Sequence, residues 1–437
     1  MGAGPTWKSQ GMIRSRAMDS DALALARTMA HAARDASRSL LLSTSDARVR
    51  ALVRTAELLR VAKADIVAAN AIDLAKASES GKNSAFVDRL RLDDLRIEAM
   101  AETVNEVAHF DEILGTTLSE SVRPNGLVVR RIRVPIGVVM MVYESRPNVT
   151  IEAASLCLKA GNAVILRGGR EAFETNRVLA GVLAQAIAEA GLPEEAVQLV
   201  PTADRAVIGQ LLLQHESIDL AIPRGGEALI RYVTENARIP VVQHYKGVCH
   251  MFLDEACDPG VAARLVHNAK MQRPGVCNAL ECLLVHKGEV DRVLVPVVNS
   301  LIDAGCEIRA CESTRAAVPR AVAASDEDWG AEFLERILAV KVVNNIDDAM
   351  AHIARYGSGH TEAIITPNKT HADQFRQGVD AACVVVNAST RFHDGGELGL
   401  GAEIGIATSR LHWRGAMGLE SLTTMKWIIE GTGQARA

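Results

Sequence analysis

The hydrophobic rhythm of the chain changes along its length. From about Asp19 to Glu112, apolar residues recur at helical spacing, most clearly at Leu58, Leu59, Val61, Ala62, Ile66 and Val67, which predicts several amphipathic helices. From Gly126 to Val134, apolar residues alternate with basic ones, the pattern of a strand or hairpin. This segment lies between two helical regions and reads as an arm rather than core. Short apolar runs then follow at 138–143, 163–166, 197–200, 219–222 and 240–243, separated by helical patterns over about 150–159, 171–190, 204–213 and 227–236. Such alternation predicts βαβ units and a parallel, doubly wound sheet, whose ligands sit beyond the carboxyl ends of its strands. A second α/β unit begins after Gly247, with an apolar run at 249–253, helices over 259–270 and about 289–304, and strands at 341–343, 363–365 and 383–387.

A chain of 437 residues exceeds what one core usually supports, so two or three domains are expected. Hydrophobic residues make up 48% and charged residues 23%, as in ordinary soluble proteins. The formal net charge of -5 argues against nucleic acid or anionic membranes as partners, because both demand a basic face. It does not forbid a local anion site. The longest apolar run, around 134–143, is too short to span a bilayer. The first residues contain no apolar segment of the secretory type. The eight cysteines include no Cys-x-x-Cys pair, so neither a disulfide scaffold nor a zinc site built on such pairs is expected. His244, His250 and His267, taken with Cys249, match no ligand spacing either, and no metal is expected. A reducing cytoplasm is the simplest reading.

Two expected strands end in the same tripeptide, Arg167-Gly168-Gly169 and Arg224-Gly225-Gly226. Glycine lets backbone approach a ligand closely, and each turn feeds a helix N-terminus where N–H groups favour anions. Two such turns on one sheet favour a phosphate-bearing ligand over plain tight turns. The stretch MQRPGVCNALECLLVH holds two cysteines in different surroundings. Cys282 opens an apolar strand and reads as packing. Cys277 follows a Pro-Gly turn, which leaves it open between a nucleophile and a small packed residue. Asn148 sits at a strand-to-helix junction, where a helix cap outweighs an oxyanion donor on spacing alone.

A resemblance decides between these readings. The segments VPIGVVMMVYESRPNVTIEAASLCLKAGNAVILRGGRE, IDLAIPRGGEALI, GVCHMFLD, NAKMQRPGVCNALECLLVH, YGSGHTEAIIT and VVVNASTRFHDGGELGLGAEIGIATSRLHWRGAMGLESLTTMKW run in order along the chain. Through them, from about residue 20 to the end, it resembles the γ-glutamyl phosphate reductase (glutamate-5-semialdehyde dehydrogenase) branch of the aldehyde dehydrogenase superfamily. The resemblance implies an aldehyde dehydrogenase-like α/β fold in three parts. A Rossmann-like NADPH-binding domain would span 19–118 and 137–247, and an α/β catalytic domain 248–410. A small β oligomerisation arm would combine 119–136 with 411–437, leaving 1–18 as a disordered extension. This sequence departs from the branch at Cys282, where Thr is common, and at Met425, where Tyr is common.

The implied activity is NADPH-dependent reduction of L-glutamyl 5-phosphate to L-glutamate 5-semialdehyde, releasing phosphate, in proline biosynthesis. The implied enzyme is a cytoplasmic homodimer or higher homo-oligomer, with the glutamate 5-kinase that supplies its substrate as an expected partner. Carried over by position, Cys277 matches the nucleophile and Asn148 the oxyanion donor. Arg167 matches a basic contact to the adenosine ribose, with Gly168 and Gly169 beside it. Gly225 and Gly226, preceded by Arg224, match a loop near the cofactor phosphates, and Glu335 an acidic contact to the nicotinamide ribose. Arg146, Ser389, Thr390 and Arg391 are expected, from charge and position, to hold the substrate's carboxylate or phosphate. The alternatives are an oxidising NAD(P)-dependent aldehyde dehydrogenase and a catalytically silent nucleotide-binding scaffold. Against the first, 241–247 lacks the Glu-Leu-Gly-Gly run in which oxidising relatives keep a base. Against the second stand Cys277, Asn148 and both Arg-Gly-Gly turns.

Overall fold

The computed structural model describes residues 7–243 and 245–436, so His244 and the first six residues of the expected extension lie outside the described residues. The chain divides into two compact units. The first runs to Val242 and takes in 401–404 and 417 onward, while the second comprises 243–400 and 405–416.

The first unit opens with helices α1 (Trp7–Leu41), α2 (Ser45–Val61), α3 (Lys63–Glu79), α4 (Ser84–Leu90) and α5 (Asp94–Ala108). Helix α1 thus begins within the stretch expected to be a disordered extension. Thr44, Asn83 and Asp93 cap α2, α4 and α5 by accepting from N–H groups that have no intrahelical partner. A hairpin follows, β1 (Thr117–Val122) against β2 (Val128–Pro135). The chain then alternates β3 (Val138–Tyr143), α6 (Asn148–Lys159), β4 (Ala163–Arg167), α7 (Phe173–Glu189), β5 (Val197–Leu199), α8 (Arg205–Leu211), β6 (Leu220–Arg224) and α9 (Glu227–Asn236). Its four strands form a parallel sheet in the order β5-β4-β3-β6. Every residue of β3 is buried, which is why this strand reads as an unbroken apolar run rather than an alternation.

The fifth strand expected at 240–243 is reduced to one bridge between Val241 and Ala221. Ala221 N–H donates to the Pro240 carbonyl, and Val242 N–H donates to the Ala221 carbonyl. Pro240 has no N–H to extend the ladder.

The second unit contains β7 (Cys249–Leu253), α10 (Pro259–Met271), β8 (Leu280–His286), α11 (Val295–Asp303), β9 (Glu307–Ala310), α12 (Glu312–Ala317), β10 (Val322–Ala323), β11 (Ile337–Val343), α13 (Ile346–Tyr356), β12 (Thr361–Ile365), α14 (Lys369–Gly378) and β13 (Cys383–Val386). Its sheet has seven parallel strands in the order β10-β9-β11-β8-β7-β12-β13. Alternate residues of the central strands feed two cores. Met251, Leu253, Leu283 and Val285 pack with Val266 and Val298 on one face. Phe252, Cys282 and Leu284 pack with Ile353 and Phe375 on the other. The helix expected over 289–304 is split: 290–294 is a wider π-type turn, and α11 starts at Val295 with Pro296 in its first turn, where a missing N–H costs nothing.

A short antiparallel pair, β14 (Ile406–Ala407) with β15 (Gly415–Ala416), completes the second unit. Strand β16 (Thr423–Glu430) returns to the first, pairing with β2 in the antiparallel sheet β1-β2-β16. Met425, Trp427 and Ile429 on β16 are exposed. Among the described residues, no helix is long and apolar enough to cross a membrane.

Candidate active site

In the second unit, Pro274 and Gly275 end the α10 pattern and turn the chain toward β8, with Cys277 half-buried in that turn. The turn is held from several sides. Gly247 lies flat against it: a Cβ there would stand 2.0 Å from the Cys277 carbonyl oxygen and 2.7 Å from its Cα. Only glycine fits that approach. Gly247 N–H in turn donates to Glu332 Oε1 (2.9 Å). Cys249 Sγ donates to the Cys277 carbonyl (3.2 Å), and burial pushes the Cys249 thiol far up, so it stays a protonated donor. Behind the turn, Lys270 and Glu281 form a fully buried ion pair at 2.6 Å. Burial pushes the Glu281 carboxyl up to about 7, against the pull of Lys270. Glu281 also accepts from Leu334 N–H (3.3 Å), tying it to the loop that carries Glu332.

The segment 389–393 is laced to the residue after the nucleophile candidate. Asn278 Nδ2 donates to the carbonyls of His393 (2.9 Å) and Arg391 (3.4 Å), and Thr390 Oγ1 donates to the Asn278 carbonyl (2.7 Å). Ser389 Oγ accepts from Arg391 N–H (3.3 Å). Ser389 and Thr390 are buried, whereas Arg391 is half-buried and donates through Nε to Gln272 (3.1 Å). Burial lowers the Arg391 pKa, Arg273 adds to this, and Asp394, Cys277 and Cys249 act the other way. Thr361 Oγ1 links His360 Nδ1 (2.7 Å) and His393 Nδ1 (2.8 Å) below the segment.

Of the acidic residues before β11, Glu332 is the one bonded into this site. Glu335, expected as a ribose contact, lies exposed in the bend three residues later. Sequence reasoning gave Gly247 and His393 no role and weighed Cys249 only as a metal ligand. Their roles come from tertiary approach, for which local sequence offers no signal.

In the first unit, the remaining expected residues gather at the carboxyl ends of β3, β4 and β6. Arg167 Nη2 donates to the Ala203 carbonyl (3.1 Å), while its Nε is buried without a hydrogen-bond partner. Burial lowers the Arg167 pKa, opposed by Glu171. Gly168 leaves room for Asn176, whose Nδ2 would meet an added Cβ at 2.0 Å. At Gly169 the Glu171 carboxylate fills that place, held by Ser145 N–H (2.9 Å). Gly225 is similarly close to Glu144, and Gly226 N–H, expected to be free for an anion, donates to Glu144 Oε2 (3.0 Å). A carboxylate at the start of α9 answers the same positive helix end that would attract phosphate. Arg224 and Arg146 are half-buried beside these turns. Asn148 does not cap α6: Pro147 occupies that position, and Asn148 Nδ2 donates to Glu152 Oε1 (2.8 Å) one turn on.

The buried histidines give the unit an acid sensitivity. Burial lowers His393 and His352 from 6.5 to about 3. For such groups the unfolded chain binds more protons, so the stability they supply is full above 6.5 and is lost as pH falls toward 3. Glu281 runs the other way below 7, which makes a variant comparison the clean test. His393→Gln should shrink the loss of thermal midpoint between pH 6.5 and pH 5, and an unchanged slope would refute this account.

One unit carries a half-buried cysteine in the turn before a strand of its parallel sheet, and the other carries Gly-rich strand ends on a parallel sheet of its own; both features suit an aldehyde dehydrogenase. The sequence profile of the aldehyde dehydrogenase family matches residues 11–305, and the chain belongs to that family. Its similarity to particular members is closer still. It is 53% identical over 409 residues to the γ-glutamyl phosphate reductase of Desulfatibacillum aliphaticivorans, covering 94% of this chain and 98% of that one. It is 53% identical over 415 residues to that of Sorangium cellulosum, covering 94% and 97%. The crystal structure of γ-glutamyl phosphate reductase from Thermotoga maritima superposes with a TM-score of 0.93 at 42% identity, covering 94% of this chain and all (100%) of that one.

Proposed function

We propose that this chain reduces L-glutamyl 5-phosphate to L-glutamate 5-semialdehyde with NADPH, releasing phosphate, as a step of proline biosynthesis. The observation that carries the reading is the Cys277 turn, locked by Gly247 and Cys249 and laced through Asn278 to the segment that carries Arg391, in a chain whose relatives over nearly its whole length are γ-glutamyl phosphate reductases. Cys277 attacks the acyl phosphate carbonyl as thiolate, its proton passing to solvent. The Cys277 N–H is assigned to the developing oxyanion, and the family resemblance assigns Asn148 the same role. The C–O bond to phosphate breaks, phosphate departs with the bonding pair, and an acyl thioester remains on Sγ. A reduced nicotinamide, when bound, supplies the hydride that takes the thioester to a thiohemiacetal. Collapse of the thiohemiacetal breaks the C–S bond, frees the aldehyde and returns the thiolate.

The chain's own residues fit such a cofactor. Arg167, with a buried Nε donor free of protein partners, suits an anionic or ribose oxygen, with Gly168 and Gly169 beside it. Arg224, Gly225 and Gly226 are assigned to the phosphates, which would compete with Glu144 for Gly226 N–H. For the ribose of the nicotinamide, Glu332 is favoured over Glu335 because it is anchored beside the nucleophile turn. Arg391 and Arg146 are assigned to the anionic groups of the substrate, with Ser389 and Thr390 shaping the Arg391 turn through their internal hydrogen bonds. A homo-oligomer built through the β1-β2-β16 sheet, a supplying glutamate 5-kinase and a cytoplasmic location complete the proposal. Exposed Trp427 and Ile429 support the first, and eight free cysteines the last.

The reverse direction separates this reading from an oxidising dehydrogenase. NADP⁺ reduction with glutamate semialdehyde should require phosphate, since without it no acceptor takes the acyl group from Cys277. Equal turnover without phosphate would replace the proposal with the oxidising activity.

A further inference from the structure

The face of the second sheet covered by α13 carries a group of side chains that the proposed reaction does not use. His250 on β7 and Cys282 on β8 are partners in register across adjacent parallel strands. His352 on α13 closes over them. One ring nitrogen of each histidine and the Cys282 Sγ lie within 4.8 Å of one another, and all three residues are buried. Cys282 Sγ is 3.7 Å from His352 Nε2. Zinc–sulfur and zinc–nitrogen bonds of ordinary length, at a tetrahedral angle, place the two ligand atoms about 3.6 Å apart. His250 Nδ1 is engaged by Glu362 Oε2 at 3.0 Å, which leaves Nε2, a buried nitrogen without a hydrogen-bond partner. A carboxylate on the far nitrogen of a ligating histidine is the arrangement that fixes tautomer and ring orientation in metal sites.

We infer that His250 Nε2, Cys282 Sγ and His352 Nε2 form a binding site for a zinc ion inside the second unit, with Glu362 orienting His250. The charges support it. Zinc, one thiolate and the Glu362 carboxylate sum to zero, which a buried site requires. Binding displaces the Cys282 thiol proton and the proton that Glu362 otherwise draws onto His250, and both pass to solvent. Lys341 and Arg355 oppose the ion. Lys341 Nζ stands 3.4 Å from His352 Nδ1 and 5.2 Å from the centre of the Trp329 ring. It is half-exposed and must turn toward solvent when His352 carries its proton on Nδ1.

The test uses the full chain with Cys277→Ser, which removes one of the three partly open thiols, produced with zinc and dialysed. One zinc per chain is expected by elemental analysis. Cobalt in its place should give a thiolate charge-transfer band and the intense visible bands of a tetrahedral site. Adding Cys282→Thr should abolish the thiolate band, Glu362→Gln should weaken binding about tenfold, and Lys341→Met should tighten it. The variants are compared only where circular dichroism shows native fold. A reading independent of them is zinc-dependent elevation of the urea midpoint, reversed by chelator. Absence of that shift at saturating zinc, or a cobalt–thiolate band that survives Cys282→Thr, overturns the assignment.

Discussion

Cys277→Ala should lower reductase turnover by about 10⁴-fold or more, the scale seen when a covalent nucleophile is removed, while the protein stays folded. Steady-state NADP⁺ reduction with phosphate and glutamate semialdehyde measures the first, and thermal unfolding the second. The two are separable because Cys277 is half-buried in a turn and belongs to neither core of its unit. A change there should fall within about 0.5 kcal/mol in stability. Covalent trapping sharpens the result: substrate acylates the parent protein at one sulfur, and the variant should take up none. Retained turnover would remove Cys277 from the mechanism and leave the second unit without an assigned nucleophile.

Gly247→Ala is the second large effect. The new methyl carbon would stand 2.0 Å from a backbone carbonyl oxygen, and backbone cannot rotate away as a side-chain tip can. Either the Cys277 turn or the strand entry at Gly247 must shift, breaking the bond from Cys249 Sγ or the one to Glu332. A displacement of about 1 Å at a reacting atom costs on the order of 100-fold in rate, and the added strain about 1–3 kcal/mol in stability. The expected signature is a fall in kcat much larger than any change in KM, with a lowered unfolding midpoint. Near-parent kcat in Gly247→Ala would mean that the turn is not held by this contact.

What the sequence disclosed depended on how local the cause was. The β3-to-α9 alternation is readable because strands buried on both faces become continuous apolar runs, and helices such as α7 and α9 between them keep an apolar stripe, although α6 is buried almost all round. Cys277 and Cys282 separated for the same reason: Pro274-Gly275 cannot continue a helix, and 282–285 can only be strand. Pro240–Gln243 was misjudged because hydrophobicity registers burial, whereas a strand also needs N–H groups that proline lacks. Spacing alone makes Asn148 a cap and only the resemblance makes it an oxyanion donor; Pro147 takes the cap position, and the Asn148 amide donates to Glu152. Glu332 and Glu335 differ by three positions, and only the tertiary bond to Gly247 distinguishes them. His250, Cys282 and His352 form no spacing motif, since strand register and one helix crossing bring them together.

The sorting of the cysteines has a chemical corollary. Of eight thiols, five are buried, at positions 157, 249, 257, 282 and 306, while Cys277, Cys311 and Cys383 are partly open. Burial drives the thiols of Cys157, Cys257 and Cys306 well away from ionisation, as it does that of Cys249. Oxidants and electrophiles dissolved in water therefore meet a much smaller sulfur inventory than the composition suggests. The Cys277 turn is among the few places they reach, so the openness that the proposed reaction needs at Cys277 also makes that residue a point of chemical vulnerability.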